Sequence, residues 1–95
     1  MNAAPTHPDL APLGDTGVRW LPGTAASITD ARWHTGRSLI DHPRRRQAMA
    51  VVAELATTAV TRSASGRPGA EFGLYVGITQ ARTAHVEVTD AGPLT

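Results

Sequence analysis

Phe72, Leu74, Val76 and Ile78 alternate with Gly73, Tyr75, Gly77 and Thr79 at strict period two, and after a short turn around Ala81 and Arg82 the alternation resumes in Ala84, Val86 and Val88. Successive strand residues point to opposite faces, so the pattern predicts two adjacent strands, joined as an antiparallel hairpin, with one face that must be covered. The cover has to come from upstream. Ala48, Val51, Val52, Leu55 and Ala59 fall within an arc of about 100° at helical spacing, the width of a core-facing stripe. They predict a helix that opens near the Asp41-His42-Pro43-Arg44 break, where Asp41 suits a cap and Pro43 a first turn, and that ends at about Ser63. The turn residues of Ser63-Ala64-Ser65-Gly66-Arg67-Pro68-Gly69 stop it there.

Ile28, Ala31, Thr35 and Leu39 recur at three- and four-residue spacing and predict an earlier amphipathic helix over residues 25–40, with Thr24 as its cap and Gly36 near its middle. Before it, Val18 and Trp20 fall on one side and Arg19 on the other, a short strand ended by Pro22 and Gly23. Residues 1–16 carry Pro5, Pro8 and Pro12 without periodicity and read as a flexible N-terminal tail. The order β-α-α-β-β predicts an α/β fold, a two-layer α/β sandwich with helices on one face of a largely antiparallel sheet. The other face is left to the tail or to another molecule.

With 95 residues the chain has room for one domain, residues 17–95 after the tail. Hydrophobic residues make up 41%, but 16 of them are alanine, so the core is small and its burial has little surplus over chain entropy. A ligand or a protein partner is expected on those grounds. The absence of cysteine excludes disulfides and thiol chemistry. His7, His34, His42 and His85 show no metal-ligand spacing. The longest apolar run, from Ala48 to Val52, is too short to span a bilayer, and no secretory signal opens the chain; a cytoplasmic location without membrane contact is expected. Trp20 and Trp33 read as core or interface anchors.

Continuing the second strand by one step puts Asp90 in phase with Val86 and Val88, on the face that should be buried. An unpaired carboxylate there is costly, so it needs a donor. Asp90 also fits a plainer use, initiating the Asp-Ala-Gly-Pro turn. Glu54 and Thr58, four residues apart, share one flank of the second helix; they suit a joint site or an ordinary helix flank.

Ala53-Glu54-Leu55-Ala56-Thr57-Thr58-Ala59-Val60, followed by Val86-Glu87-Val88-Thr89-Asp90-Ala91-Gly92-Pro93, resembles the nucleotide-binding half of the histidine-kinase-like ATPases, the GHKL superfamily. The stretch from Leu21 to Arg32 is similar to the opening strand and first helix of its stand-alone anti-sigma-factor serine kinases, of the type common in actinobacteria. The resemblance covers residues 18–93 and implies a partial Bergerat-type ATP-binding fold. It implies that Glu54 is the catalytic glutamate that activates the attacking group, that Thr58 stands where the family has a magnesium-holding asparagine, and that Asp90 and Gly92 receive adenine. The cofactor implied is ATP or ADP with Mg²⁺. Threonine is a shorter, poorer ligand for Mg²⁺ than an asparagine carbonyl, and the chain stops before the family's lid and Gly-rich segment, which cradle phosphates. The expectation is weak nucleotide binding with little or no catalysis.

Three functions are therefore carried forward. The first is an ATP-binding regulatory protein resembling anti-sigma-factor serine kinases. The second is a nucleotide-independent protein-protein interaction module whose partner is a sigma factor, an anti-sigma antagonist or a second copy. The third is a small nucleic-acid-binding protein using Arg44, Arg45 and Arg46, which a net charge of +1 and the lack of another basic stripe disfavour against a solvated helix start.

Overall fold

In the computed structural model, residues 10–12 and 17–94 are described. Helix α1, Ala25–Ser38, begins at Thr24, whose Oγ1 accepts from the Ser27 amide at 3.3 Å. That hydrogen bond satisfies one of the donors that every helix start leaves free. Ala31, Thr35 and Leu39 are buried and Ile28 packs against them, as their spacing predicts. Thr35 enters the core without an orphan hydroxyl, because its Oγ1 donates to Ala31 O at 2.8 Å.

Helix α2, Arg45–Arg62, is turned relative to the predicted stripe. Ala48, Val52 and Ala59 are buried as expected, but Val51 and Leu55 are 44% and 41% exposed, and Met49 and Ala56 take their places inside. The cause lies in Gly36 of α1. A side chain there would meet Met49 Sδ at 2.8 Å, so the missing Cβ is the space that Met49 occupies. Arg45 reinforces the contact by donating from Nε to Gly36 O at 2.8 Å. With that side of α2 pulled against α1, the residues left to face the sheet are Val52 and the alanines Ala48, Ala56 and Ala59, which allow close approach.

The predicted cap at Asp41 is not used, since Arg44 occupies the cap position without a side-chain hydrogen bond. His42 organises the break instead. Its Nδ1 accepts from the Arg44 amide at 3.0 Å, so Nε2 carries the proton and donates to Arg82 O at 2.8 Å.

The sheet is antiparallel and three strands wide. Strand β3, Glu71–Thr79, is central. Strand β4, Ala84–Thr89, flanks it on one side with Val86 opposite Val76. On the other side β1, Leu10–Pro12, and β2, Arg19–Pro22, lie end to end, with Leu10 opposite Thr79 and Arg19 opposite Leu74. Strand β1 lies within residues 1–16, read from sequence as a flexible tail, and pairs Leu10–Pro12 with β3. Pro12 was the obstacle, yet proline is tolerated on an edge strand, where its missing N–H costs the sheet little. The other tail residues lie outside the described residues.

Both helices cover one face of this sheet, where Phe72, Leu74 and Val76 meet Ala31, Leu39, Val52, Ala56 and Ala59. The opposite face is not bare. Tyr75 is buried on it, and Val18 and Trp20 close over Gly73, whose absent Cβ would lie 2.6 Å from Val18 Cγ1. The architecture is mixed α/β, and none of its described helices is long and apolar enough to cross a membrane.

Candidate functional site

Asp90 lies one residue beyond β4 and is exposed. This overturns the expectation of a buried, partner-seeking carboxylate. The strand register ends with Thr89 opposite Gly73, so the pleat that would turn Asp90 inward is not continued. Its Oδ1 accepts from the Gly92 amide at 2.9 Å, the turn-initiating use of aspartate. Gly92 has φ +88, and a side chain there would meet nothing within 4 Å. Backbone conformation, not a close approach, is what calls for glycine at this position.

The turn is nevertheless anchored. Ala64 N donates to Gly92 O at 2.9 Å, and Ala91 N donates to Ser65 Oγ at 2.8 Å. Ser65 is fully buried in a short 3₁₀ turn, Ala64–Gly66, immediately after α2. These two bonds hold the Asp90-Ala91-Gly92 turn against the C-terminal end of α2. Glu54 and Thr58 are both exposed and share the side of α2 that points away from Ala48, Val52 and Ala56. They form a surface face and do not flank a cleft against the sheet.

One carboxylate and one hydroxyl on an exposed helix face do not make a magnesium site by themselves. Among the described residues, no group of three or more acidic, histidine or cysteine side chains gathers for a metal ion. Among the described residues, surface concavities of about 270 and 330 Å³ lie at the α1–α2 connection and beside Pro22 and Gly23. Neither is lined by Glu54, Thr58, Asp90 or Gly92. The arginine run is also not three free cations: Arg44 and Arg46 are exposed, whereas Arg45 is committed to α1 through Gly36 O.

A different surface emerges from the packing. Strand β4 pairs with β3 and, among the described residues, with nothing on its outer side. Of the strands, helix α2 packs chiefly on β4. Val51 and Leu55 lie on the flank of α2 opposite Met49, the residue that meets α1, and are exposed. The sequence signal for this surface was present, since Val51 and Leu55 stood out as apolar; only their direction was misread. No protein-family model matches the chain, and neither a curated protein nor a solved structure matches it.

Proposed function

We propose that this chain is a cytoplasmic regulatory module that acts by binding another protein, without requiring nucleotide. The observations that carry this reading are the β4 edge, unpaired on its outer side among the described residues, and the exposed Val51 and Leu55 on the helix that packs on β4. Unpaired strand edges template the addition of another strand, and adjacent exposed apolar side chains supply the burial that makes such a contact favourable. The partner class implied by the GHKL resemblance is a sigma factor or an anti-sigma antagonist. The test is a photo-crosslinking side chain at position 55, compared with one at Thr29 on exposed α1 surface. A specific protein adduct from position 55 only, unchanged by millimolar ATP, is expected. No adduct, or the same adduct from both positions, refutes the reading.

A second reading, weak adenine-nucleotide binding, is favoured by the anchored Asp90-Ala91-Gly92 turn at the end of the helix that carries Glu54 and Thr58. In it Asp90 and Gly92 receive the base, and Glu54 with Thr58 faces the phosphates and any magnesium ion. A ligand that binds only the native state raises the melting temperature. On this reading ATP or ADP with Mg²⁺ stabilises the wild type and not Asp90→Asn; no shift for either protein removes it.

A further inference from the structure

We propose that the end of the molecule where the α1–α2 connection meets the β3–β4 turn docks an acidic segment of a partner protein, seated by one apolar side chain. This surface is separate from the β4 edge, and its occupant is read from charge.

Folding assembles arginines that are scattered along the chain. Arg37 lies in the last turn of α1, and Arg44 and Arg46 sit at the start of α2. Arg82 belongs to the β3–β4 turn, which His42 ties to the helix connection through its Nε2 and Arg82 O at 2.8 Å. All four side chains are exposed, and among the described residues none of their guanidinium groups enters an ion pair or a hydrogen bond. Arg45, bonded to Gly36 O, adds a fifth positive charge. Asp41 is the one acid of this end among the described residues, whereas the rest of the described chain carries four arginines and five acids. The positive charge of the fold is therefore gathered at one end.

Local structure does not account for the cations on α2. The helix dipole disfavours positive charge at a helix start, the first turn of α2 has no acid, and Arg44 fills the cap position without a side-chain bond. Like charges within a Debye length of roughly 8–10 Å also repel one another. Both costs fall when anionic groups bind, and a patch of one sign steers an oppositely charged partner toward itself.

The charge is joined to a small apolar seat. Ile40 is 62% exposed, and with Leu39, Pro43 and Ile78 it lines the concavity of about 270 Å³ that Asp41 and Arg82 also line. That volume is just below the roughly 300–1,000 Å³ of pockets for drug-sized ligands, and suits a single apolar side chain. A segment with carboxylates on both sides of one such residue meets the arginines and the seat together. A nucleic acid offers the charge but no side chain for the seat, and an extended polyanion would run from this end onto a remainder in which acids outnumber arginines.

The probe is a capped, fluorescent peptide reading Glu-Asp-Leu-Asp-Glu between Gly-Ser flanks, titrated into the full chain at low salt beside Glu-Asp-Ser-Asp-Glu. The leucine peptide is expected to bind about tenfold more tightly than the serine peptide, and to shift the amide resonances of Ile40, His42 and Arg82. The triple variant Arg44→Gln, Arg46→Gln, Arg82→Asn is expected to weaken it at least about tenfold and to flatten its salt dependence. Its melting temperature should hold, because these are exposed side chains without partners and asparagine tolerates the φ of +63 at position 82. Arg62→Gln, in the last turn of α2, should leave the affinity unchanged. An unaffected triple variant, equal affinity for the two peptides, no binding at about 1 mM, or resonance shifts elsewhere overturns the proposal. So does tighter binding of a DNA oligonucleotide of equal charge, which would assign the surface to nucleic acid, or of phosphatidylserine vesicles, which would assign it to a membrane.

Discussion

Val51 and Val52 are adjacent on α2 and chemically identical, yet the first is 44% exposed and the second fully buried. Truncating each to alanine therefore measures the rotation of the helix directly. Val52→Ala removes two buried carbons, about 1.6 kcal/mol of transfer free energy, and adds about 1 kcal/mol for an incompletely collapsed cavity. Better helix propensity returns about 0.5 kcal/mol. The net loss is about 2 kcal/mol, which lowers the melting temperature of a domain this size by about 8–16 °C. Val51→Ala gains the same propensity and loses only partial burial, so its stability change stays within about 0.5 kcal/mol of zero. Thermal and urea unfolding followed by circular dichroism read both. Equal losses, or a larger loss for Val51→Ala, would restore the stripe inferred from periodicity and refute the rotated helix, and with it the exposed apolar surface of Val51 and Leu55.

Gly23→Ala is expected to cost at least about 3 kcal/mol, because the new Cβ would sit 1.6 Å from Ser65 O, a backbone atom that cannot simply rotate away; near-wild-type unfolding would contradict the packing of β2 against the 3₁₀ turn. Ser65→Ala leaves the Ala91 amide without its acceptor and should cost about 1–2 kcal/mol, with faster hydrogen exchange at Ala91. Unchanged exchange there would mean that the Asp90-Ala91-Gly92 turn is not held by Ser65. His42→Ala removes the link between the helix connection and the β3–β4 turn, and should cost about 1 kcal/mol with faster exchange at Arg44; a neutral effect on both would remove the bridging role of His42.

Much of the fold was legible because one physical signal carried each element. Period two in residues 72–88 marks the hairpin, and Thr24 before the first helical periodicity marks a cap. Helix α2 was misread for a specific reason: five of its 18 residues are alanine, which weights a hydrophobic stripe weakly, so Val51 and Leu55 dominated the pattern. What decided the rotation was Gly36, a residue with no side chain on another helix, and no pattern within residues 45–62 reports it. Asp90 was misplaced by extending a strand one residue too far, since β4 ends at Thr89 and its alternation does not reach the turn. Strand β1 was hidden by Pro12, whose tolerance on an edge depends on knowing that it is an edge. The nucleotide site was inferred from residue order along the chain. The docking edge depends on what lies beside β4, which residue order does not encode.

Site-resolved amide exchange along β4 tests the central claim most directly. In the free chain, His85, Glu87 and Thr89 should be protected by their bonds to β3, while Ala84, Val86 and Val88 exchange at rates close to those of an unstructured segment; a bound strand should slow only the second set. Uniform protection along residues 84–89 in the free chain would contradict the account, because it would mean that the outer row of β4 is already occupied.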